Sequence, residues 1–337
     1  MFAFFFHISY IRYYMDSNHT KNTKIENTVA ICESCPENQR TLAKPVHFKG
    51  IGVHSGQSVN LTIKPAPTNF GINFRRIDLP TAPLVKATFS RVVDTSLATV
   101  IGEGGCIVST IEHLMACFAG LMIDNAICEL DNYEPPIMDG STGEFTRAIR
   151  EAGIVKQDAP RMYFVVNSPI KLVGEDKSVH LYPSRERRLT STIKFEHPAI
   201  GEQTFSVLLS EENFVREISD ARTFGFLKEV EYMQFFGLAK GGSLDNSVVI
   251  DENGVMNEGG LRHPDEFVRH KILDAIGDFS LLGMPILGHL VLYKSGHNFN
   301  HEFLKTFFDQ KSAWETASLN ALDMSELPEA DQASVII

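Results

Sequence analysis

Ser109-Thr-Ile-Glu-His-Leu-Met-Ala-Cys-Phe-Ala-Gly120 is followed closely by Asp124-Asn-Ala-Ile-Cys-Glu-Leu130. The first stretch predicts a helix, because Ile111, Leu114, Met115 and Phe118 recur on one face and Gly120 supplies the stop. The second predicts a buried strand, leading through the loop Asn132–Ser141 to another helix at about Thr142–Glu151, which ends at Gly153. The same order returns later in the chain. Pro264 opens a histidine-bearing helix running to about Leu282, and a glycine and the strand Gly288-His-Leu-Val-Leu-Tyr293 follow it. Such recurrence suggests duplicated α+β units, although the two halves barely resemble each other residue by residue.

Working outward, Val46–Ile63 alternates as strand, turn, strand. Gly50, Gly52 and Gly56 read as hairpin glycines, since their spacing matches no phosphate-cradling loop. Strands are expected at Tyr163–Val173, Ser178–Tyr182 and Leu189–Phe195. Next come Phe224-Gly-Phe226, a helix at Glu229–Gly237 and the strand Ser247–Ile250. Ordered chain is expected from near Thr41. The expected division is a disordered extension over 1–40, a first α+β domain over 41–158, a second over 159–312 and a loose acidic tail over 313–337.

The chain has 337 residues, enough for two domains, with 31 basic against 42 acidic residues and a net charge of −11. That balance argues against a nucleic-acid partner and indicates an ordinary globular protein. Five cysteines in a chain this long do not make a disulfide framework, so a reducing cytoplasm fits best. Cys32-Glu-Ser-Cys35 has no second metal-binding pair and reads as part of a polar tail. The aromatic opening Met1–Tyr14 is too short to span a bilayer and lacks the features of a signal peptide, so Met15 is the expected initiator.

Three constellations carry chemistry. In Arg269-His-Lys-Ile-Leu-Asp-Ala-Ile-Gly-Asp278, His270, Asp274 and Asp278 recur every four positions and share one helix face. That stripe is either a solvated face or part of a metal site, since His and Asp at i and i+4 can both reach one ion. A third donor would have to come from elsewhere, and His113 is the obvious one. Its neighbour Glu112 is either a general base or the last member of a Ser109-x-x-Glu112 capping box. Finally, the loop Lys294-Ser-Gly-His-Asn-Phe-Asn-His301 follows a buried strand, where His297 is either a surface histidine or an acid titrating near neutrality.

Thr-Ile-Glu-His-Leu, Pro136-Ile-Met-Asp-Gly-Ser141, Ala221-Arg-Thr-Phe-Gly-Phe226, His270-Lys-x-x-Asp274-x-x-Gly-Asp278 and Ser295-Gly-His297 occur in that order. Together they resemble the UDP-3-O-acyl-N-acetylglucosamine deacetylases, zinc amidases of lipid A synthesis in Gram-negative bacteria, over about Thr41–Phe308. The resemblance implies a two-domain α+β sandwich. Each domain would have a sheet with two helices, the helices would pack between the sheets, and the site would lie at the domain interface.

It implies one Zn²⁺ per chain on His113, His270 and Asp274, a ligand set that would equally suit non-haem Fe(II). Glu112 is the implied base and Thr223 an oxyanion partner. His297, kept cationic by Asp278, is the implied acid, and Lys271 points along the cleft. His54 and Lys294 are implied on the nucleotide side, and Phe224 would stack on the sugar. Phe226, Leu227, Val230, Ala239, Ser243 and Val249 would line an acyl passage in an inserted βαβ segment. The implied substrate is a small nucleotide-sugar lipid, met by a cytoplasmic monomer without stable membrane insertion. A zinc peptidase or Fe(II) oxygenase, and a non-catalytic sugar-nucleotide binder, are the rival readings. The peptidase and oxygenase lack their motifs here, and a mere binder has no need of Glu112 and His297 together.

Overall fold

The computed structural model describes residues 35–323 together with Leu327 and Pro328. The expected α+β class is what the chain adopts. In the first half a five-stranded sheet has the order Val46–Ile51, Ser58–Pro65, Ala126–Leu130, Ile72–Arg76 and Leu84–Lys86. Ala126, Cys128 and Leu130 alternate inward along the middle strand, as a half-buried strand requires. Helices α1 (Glu112–Gly120) and α2 (Gly143–Ala152) belong to this half.

In the second half a seven-stranded sheet is built around Ile286–Tyr293. That strand pairs parallel with Arg187–Lys194 and Met162–Val166 and antiparallel with Ser178–Tyr182. One helical turn, α3 (Glu211–Asn213), runs on into a π-helical turn over Phe214–Ile218. A parallel βαβ unit follows, made of Phe224–Phe226, α4 (Leu227–Phe235) and Val248–Asp251. Helices α5 (Glu266–Ser280) and α6 (His297–Asp309) flank the strand Ile286–Tyr293 in sequence.

Several boundaries differ from the sequence reading. The strand Asn38–Leu42 begins before Thr41 and pairs with Ile154–Pro160, tying the two ends of the first half into one ribbon that crosses residue 158. The tail expected to be loose from residue 313 instead carries an edge strand, Trp314–Ser318, antiparallel to Met162–Val166. Trp314 causes this, since its ring stacks on Phe307 with centroids 5.0 Å apart and its Nε1 donates to the Phe307 carbonyl. His297 was expected in a loop but is the first residue of α6, whose stripe Phe299, Phe303, Leu304 and Phe307 is buried. The hairpin at Gly52–Gly56 is as expected, closed by Gly56 N–H on the Gly52 carbonyl. Cys32 and Met1–Met15 lie outside the described residues.

One apolar core runs through both halves, joining Leu61, Phe74 and Phe118 to Leu273, Leu290 and Phe303. Within it α1 and α5 lie against each other. A Cβ on Gly277 would sit 2.1 Å from the Glu112 carbonyl oxygen, so only glycine lets the two backbones meet there. Among the described residues no helix is long and apolar enough to cross a membrane.

Gly277→Ala separates two effects of opposite sign. Helix propensity alone would make alanine stabilising, whereas overpacking should cost about 3 kcal/mol. We expect a lower denaturation midpoint in urea, and an unchanged or higher midpoint would mean that the helices can part without cost.

Candidate active site

All faces of α5 are enclosed, including His270, Asp274 and Asp278, so the polar stripe is not a solvated face. Asp274 Oδ1 lies 3.3 Å from His270 Nε2 and 3.6 Å from His113 Nε2. The ligating atoms of the three buried residues fall within 4.8 Å of one another. His270 donates from Nδ1 to the Ala221 carbonyl at 3.0 Å, which fixes the ring with Nε2 toward Asp274. Burial, with His270 nearby, lowers His113 to about 3, so its imidazole is neutral. Burial would raise Asp274, but His270 and Lys271 outweigh it and hold the carboxylate well below its usual range. Two imidazoles and an ionised carboxylate converging in one buried cluster are a donor set that fits a divalent cation.

Glu112 does not complete a capping box. Helix α1 has no side-chain cap, and Glu112 Oε2 instead accepts from the Thr99 backbone N–H at 3.0 Å. Burial raises Glu112 to about 7, against the opposing pull of His297. Its Oε1 lies 3.9 Å from His297 Nε2. On its far side His297 donates from Nδ1 to Asp278 Oδ2 at 2.8 Å. Burial would lower His297, but the Asp278 carboxylate overrides it and lifts the imidazole to about 10. Asp278 is itself held by Thr99 Oγ1 at 2.6 Å and Asn300 Nδ2 at 2.8 Å. A buried carboxylate and a cationic imidazole therefore face each other beside a metal-ligand cluster.

The model of the UDP-3-O-acyl N-acetylglycosamine deacetylase (LpxC) family matches residues 39–309. The chain belongs to that family. Three proteins named UDP-3-O-acyl-N-acetylglucosamine deacetylase are among its similar relatives. One from Myxococcus xanthus (strain DK1622) is 50% identical over 278 residues, covering 82% of this chain and 88% of the relative. One from Idiomarina loihiensis (strain ATCC BAA-735 / DSM 15497 / L2-TR) is 48% identical, covering 82% and 92%. One from Syntrophus aciditrophicus (strain SB) is 45% identical, covering 85% and 91%.

In this LpxC-family chain the remaining residues singled out in the sequence fall into several groups. Lys271 Nζ pairs with Asp274 Oδ2 at 2.9 Å and lies 5.4 Å from the Phe224 ring centre, so lysine and phenylalanine border the His113, His270 and Asp274 cluster. Thr223 is fixed through its backbone, donating to the Gly140 carbonyl and accepting from Val248 N–H. Its neighbour Arg222 forms a buried double contact with Glu266 at 2.9 and 3.1 Å, which also sets the Ala221 carbonyl that orients His270. His54 borders the site from the first half, where burial lowers its pKa, Glu134 opposes that and His297 adds to it. Lys294 is drawn aside, its Nζ paired with Asp176 at 2.6 Å.

Phe226, Leu227, Val230, Ala239, Ser243 and Val249 all lie on the βαβ segment or its return loop. Phe226 packs on Phe195 and His197, and Val249 is buried between Val248 and Ile250. Ala239 takes a left-handed turn at φ 49°, and Ser243 N–H caps the loop through the Asn246 side chain. Four residues escaped the sequence reading. Thr99 and Glu134 offer no signal, being distant in sequence from what they hold. Asn300 stands one helical turn after His297, and Arg222 next to Thr223, so both were visible as neighbours. Glu134, fully buried, accepts from His54 N–H, Ser55 N–H and Thr110 Oγ1, and so ties the glycine hairpin to the start of α1.

The raised His297 makes a stability claim. A folded pKa above the unfolded value contributes stability that is complete below about 6.5 and is lost as pH rises through about 10. Unfolding free energy should therefore fall across that window. In Asp278→Asn, where the imidazole loses its anionic partner, we expect the fall to flatten when the metal-free protein is denatured at successive pH values. An unaltered slope would detach His297 from Asp278.

Proposed function

We propose that the protein hydrolyses the N-acetyl amide of UDP-3-O-acyl-N-acetylglucosamine in lipid A biosynthesis, releasing acetate and UDP-3-O-acyl-glucosamine. One Zn²⁺ per chain, on His113, His270 and Asp274, completes the proposed centre, in a monomer acting in the cytoplasm. The observation that carries this reading is Glu112 and His297 facing each other beside that ligand cluster, in a chain of this family.

When bound, zinc would polarise the amide carbonyl and bring the pKa of water near neutrality. Glu112 takes the proton of the attacking water. Its burial favours the protonated form, raising its pKa to about 7, which suits the carboxylate to accept it. Thr223, on a backbone anchored at both faces, steadies the tetrahedral oxyanion. His297, kept cationic by Asp278, which Thr99 and Asn300 hold in place, protonates the departing glucosamine nitrogen, and the proton that Glu112 took from water returns to His297 across the 3.9 Å between them. A carboxylate base and a cationic acid need opposite protonation states, so a bell-shaped pH profile is expected. Lys271 and Phe224 support sugar and phosphate placement at the rim. Helix α4 buries none of its side chains, and Phe235 is 84% exposed, which supports an acyl chain lying along this insert.

The direct test is acetyl loss from UDP-3-O-acyl-N-acetylglucosamine, followed by mass spectrometry with and without chelator. No loss from the zinc-loaded protein would remove the assignment. Alanine at His113, His270 or Asp274 should lower zinc stoichiometry and turnover together.

Glu112→Gln isolates the base. Glutamine keeps an oxygen for the Thr99 N–H but cannot take a proton. We expect kcat to fall about 10² to 10⁴-fold, with zinc content and melting temperature near wild type. Retention of more than about a third of kcat would show that Glu112 is only a structural acceptor.

A further inference from the structure

A cavity of about 420 Å³ lies between the two halves, and none of Glu112, His113, His270, Asp274 or His297 lines it. Its volume falls in the range of small-molecule sites, about 300–1,000 Å³. Met115 and Phe118 of α1, Phe279 of α5 and Leu290 of the second sheet make apolar wall. One end is different. Arg161 and Arg187 line it, only 3% and 6% exposed.

The charges there do not cancel. Arg161 Nε faces Asp124 Oδ1 at 3.1 Å, and Arg188, also on the wall, pairs with Glu186 at 2.8 Å. Arg187 forms no ion pair within contact distance among the described residues, Asp124 attracting it only from farther off, and its buried Nε and Nη1 hydrogen-bond to nothing. It projects from the same face of its strand as Leu189, toward the helices, with Gly288 and Leu290 at the matching positions of the neighbouring strand. A guanidinium left alone in a low-dielectric wall is strongly unfavourable unless something anionic joins it.

We propose that this cavity binds a singly charged amphiphilic anion, a carboxylate on a short apolar tail, with its head at Arg187 and its tail along Met115, Phe118 and Phe279. Arg161 and Arg188 have carboxylate partners and Lys86 is exposed to water, so the one buried positive charge left, on Arg187, calls for one negative charge. Guanidinium and carboxylate match as a planar, two-bonded pair, and the apolar remainder of the wall has no use for a fully polar ligand. Because the wall comes from α1 and α5 together, the bound anion joins the two helices that also carry the metal ligands.

The test uses the full-length, zinc-loaded protein and calorimetric titration with decanoate, against acetate, which lacks the tail, and decanol, which lacks the charge. Decanoate should bind at one site at least tenfold more tightly than either control. Arg187→Met should lose that binding by tenfold or more. Ala119→Phe fills the cavity while leaving the charge and should do the same, which keeps the test open if the first variant folds poorly. Wild-type decanoate affinity in either variant would place the binding elsewhere, at the metal or the acyl insert, and would overturn the proposal. So would the absence of any preference for decanoate over the controls.

Discussion

Everything at the centre of this molecule depends on the contact between α1 and α5. Gly277 stands where any side chain would strike the Glu112 carbonyl, so the helices approach to backbone distance at the turn that carries Glu112 and His113. That approach sets His113 beside His270 and Asp274, which lie one turn apart on the facing helix. A wider spacing would leave a histidine on one helix and a His/Asp pair on the other, too far apart to share an ion. The shared apolar core around the contact, from Phe118 to Leu273, makes the spacing rigid.

Close approach buries charge, and the surrounding polar groups answer that cost one by one. Asp278 takes hydrogen bonds from His297, Thr99 and Asn300, so its ionised form keeps partners without bulk water. Thr99 serves twice, since its N–H holds Glu112 and its hydroxyl holds Asp278, which fixes Glu112 and the partner of His297 relative to each other. Arg222 and Glu266 do similar work at the other end of α5, where the orientation of the Ala221 carbonyl decides which nitrogen of His270 is free. Removing one member of such a set leaves another charge unsatisfied, so these second partners matter as much as the residues they hold.

The helices that carry the ligands were legible because their signals are local: a 3.6-residue apolar period, a glycine stop, and His270 and Asp274 four apart. The choice between a solvated stripe and a metal site was not legible locally, since it depends on what covers α5, and that cover comes from other elements, such as Ala221 over His270 and Thr99 and His297 over Asp278. The capping-box reading of Glu112 failed for a related reason. A local pattern offered one partner, while folding supplied a better one in the Thr99 N–H. Helix α6 was passed over because its start, rich in His and Asn, looks like a loop until Phe299, Phe303 and Phe307 are read as one stripe. Tertiary anchoring at Trp314 likewise outweighed the acidic composition that suggested a loose tail.

Part of the backbone strain follows the same map, while Asn69, Ala82 and Met122 are left-handed away from it. Thr110, Met138, Ala239 and Lys294 all adopt left-handed φ angles, between 49° and 57°, that non-glycine residues avoid. They stand just before Glu112, inside the Pro136–Ser141 loop, in the return of the βαβ insert and just before His297. Strain of this kind costs about 1–3 kcal/mol per residue and persists only where other contacts over-determine the chain. Those contacts are present. Thr110 is held through its hydroxyl on Glu134, and Lys294 through its N–H on the Thr192 carbonyl and its ammonium on Asp176. A segment free to relax would let go of these turns first, and with them the entry angles of α1 and α6. The strain at Thr110 and Lys294 therefore sits where Glu112 and His297 are aimed, and Glu134 at the one turn and Thr192 and Asp176 at the other keep it there.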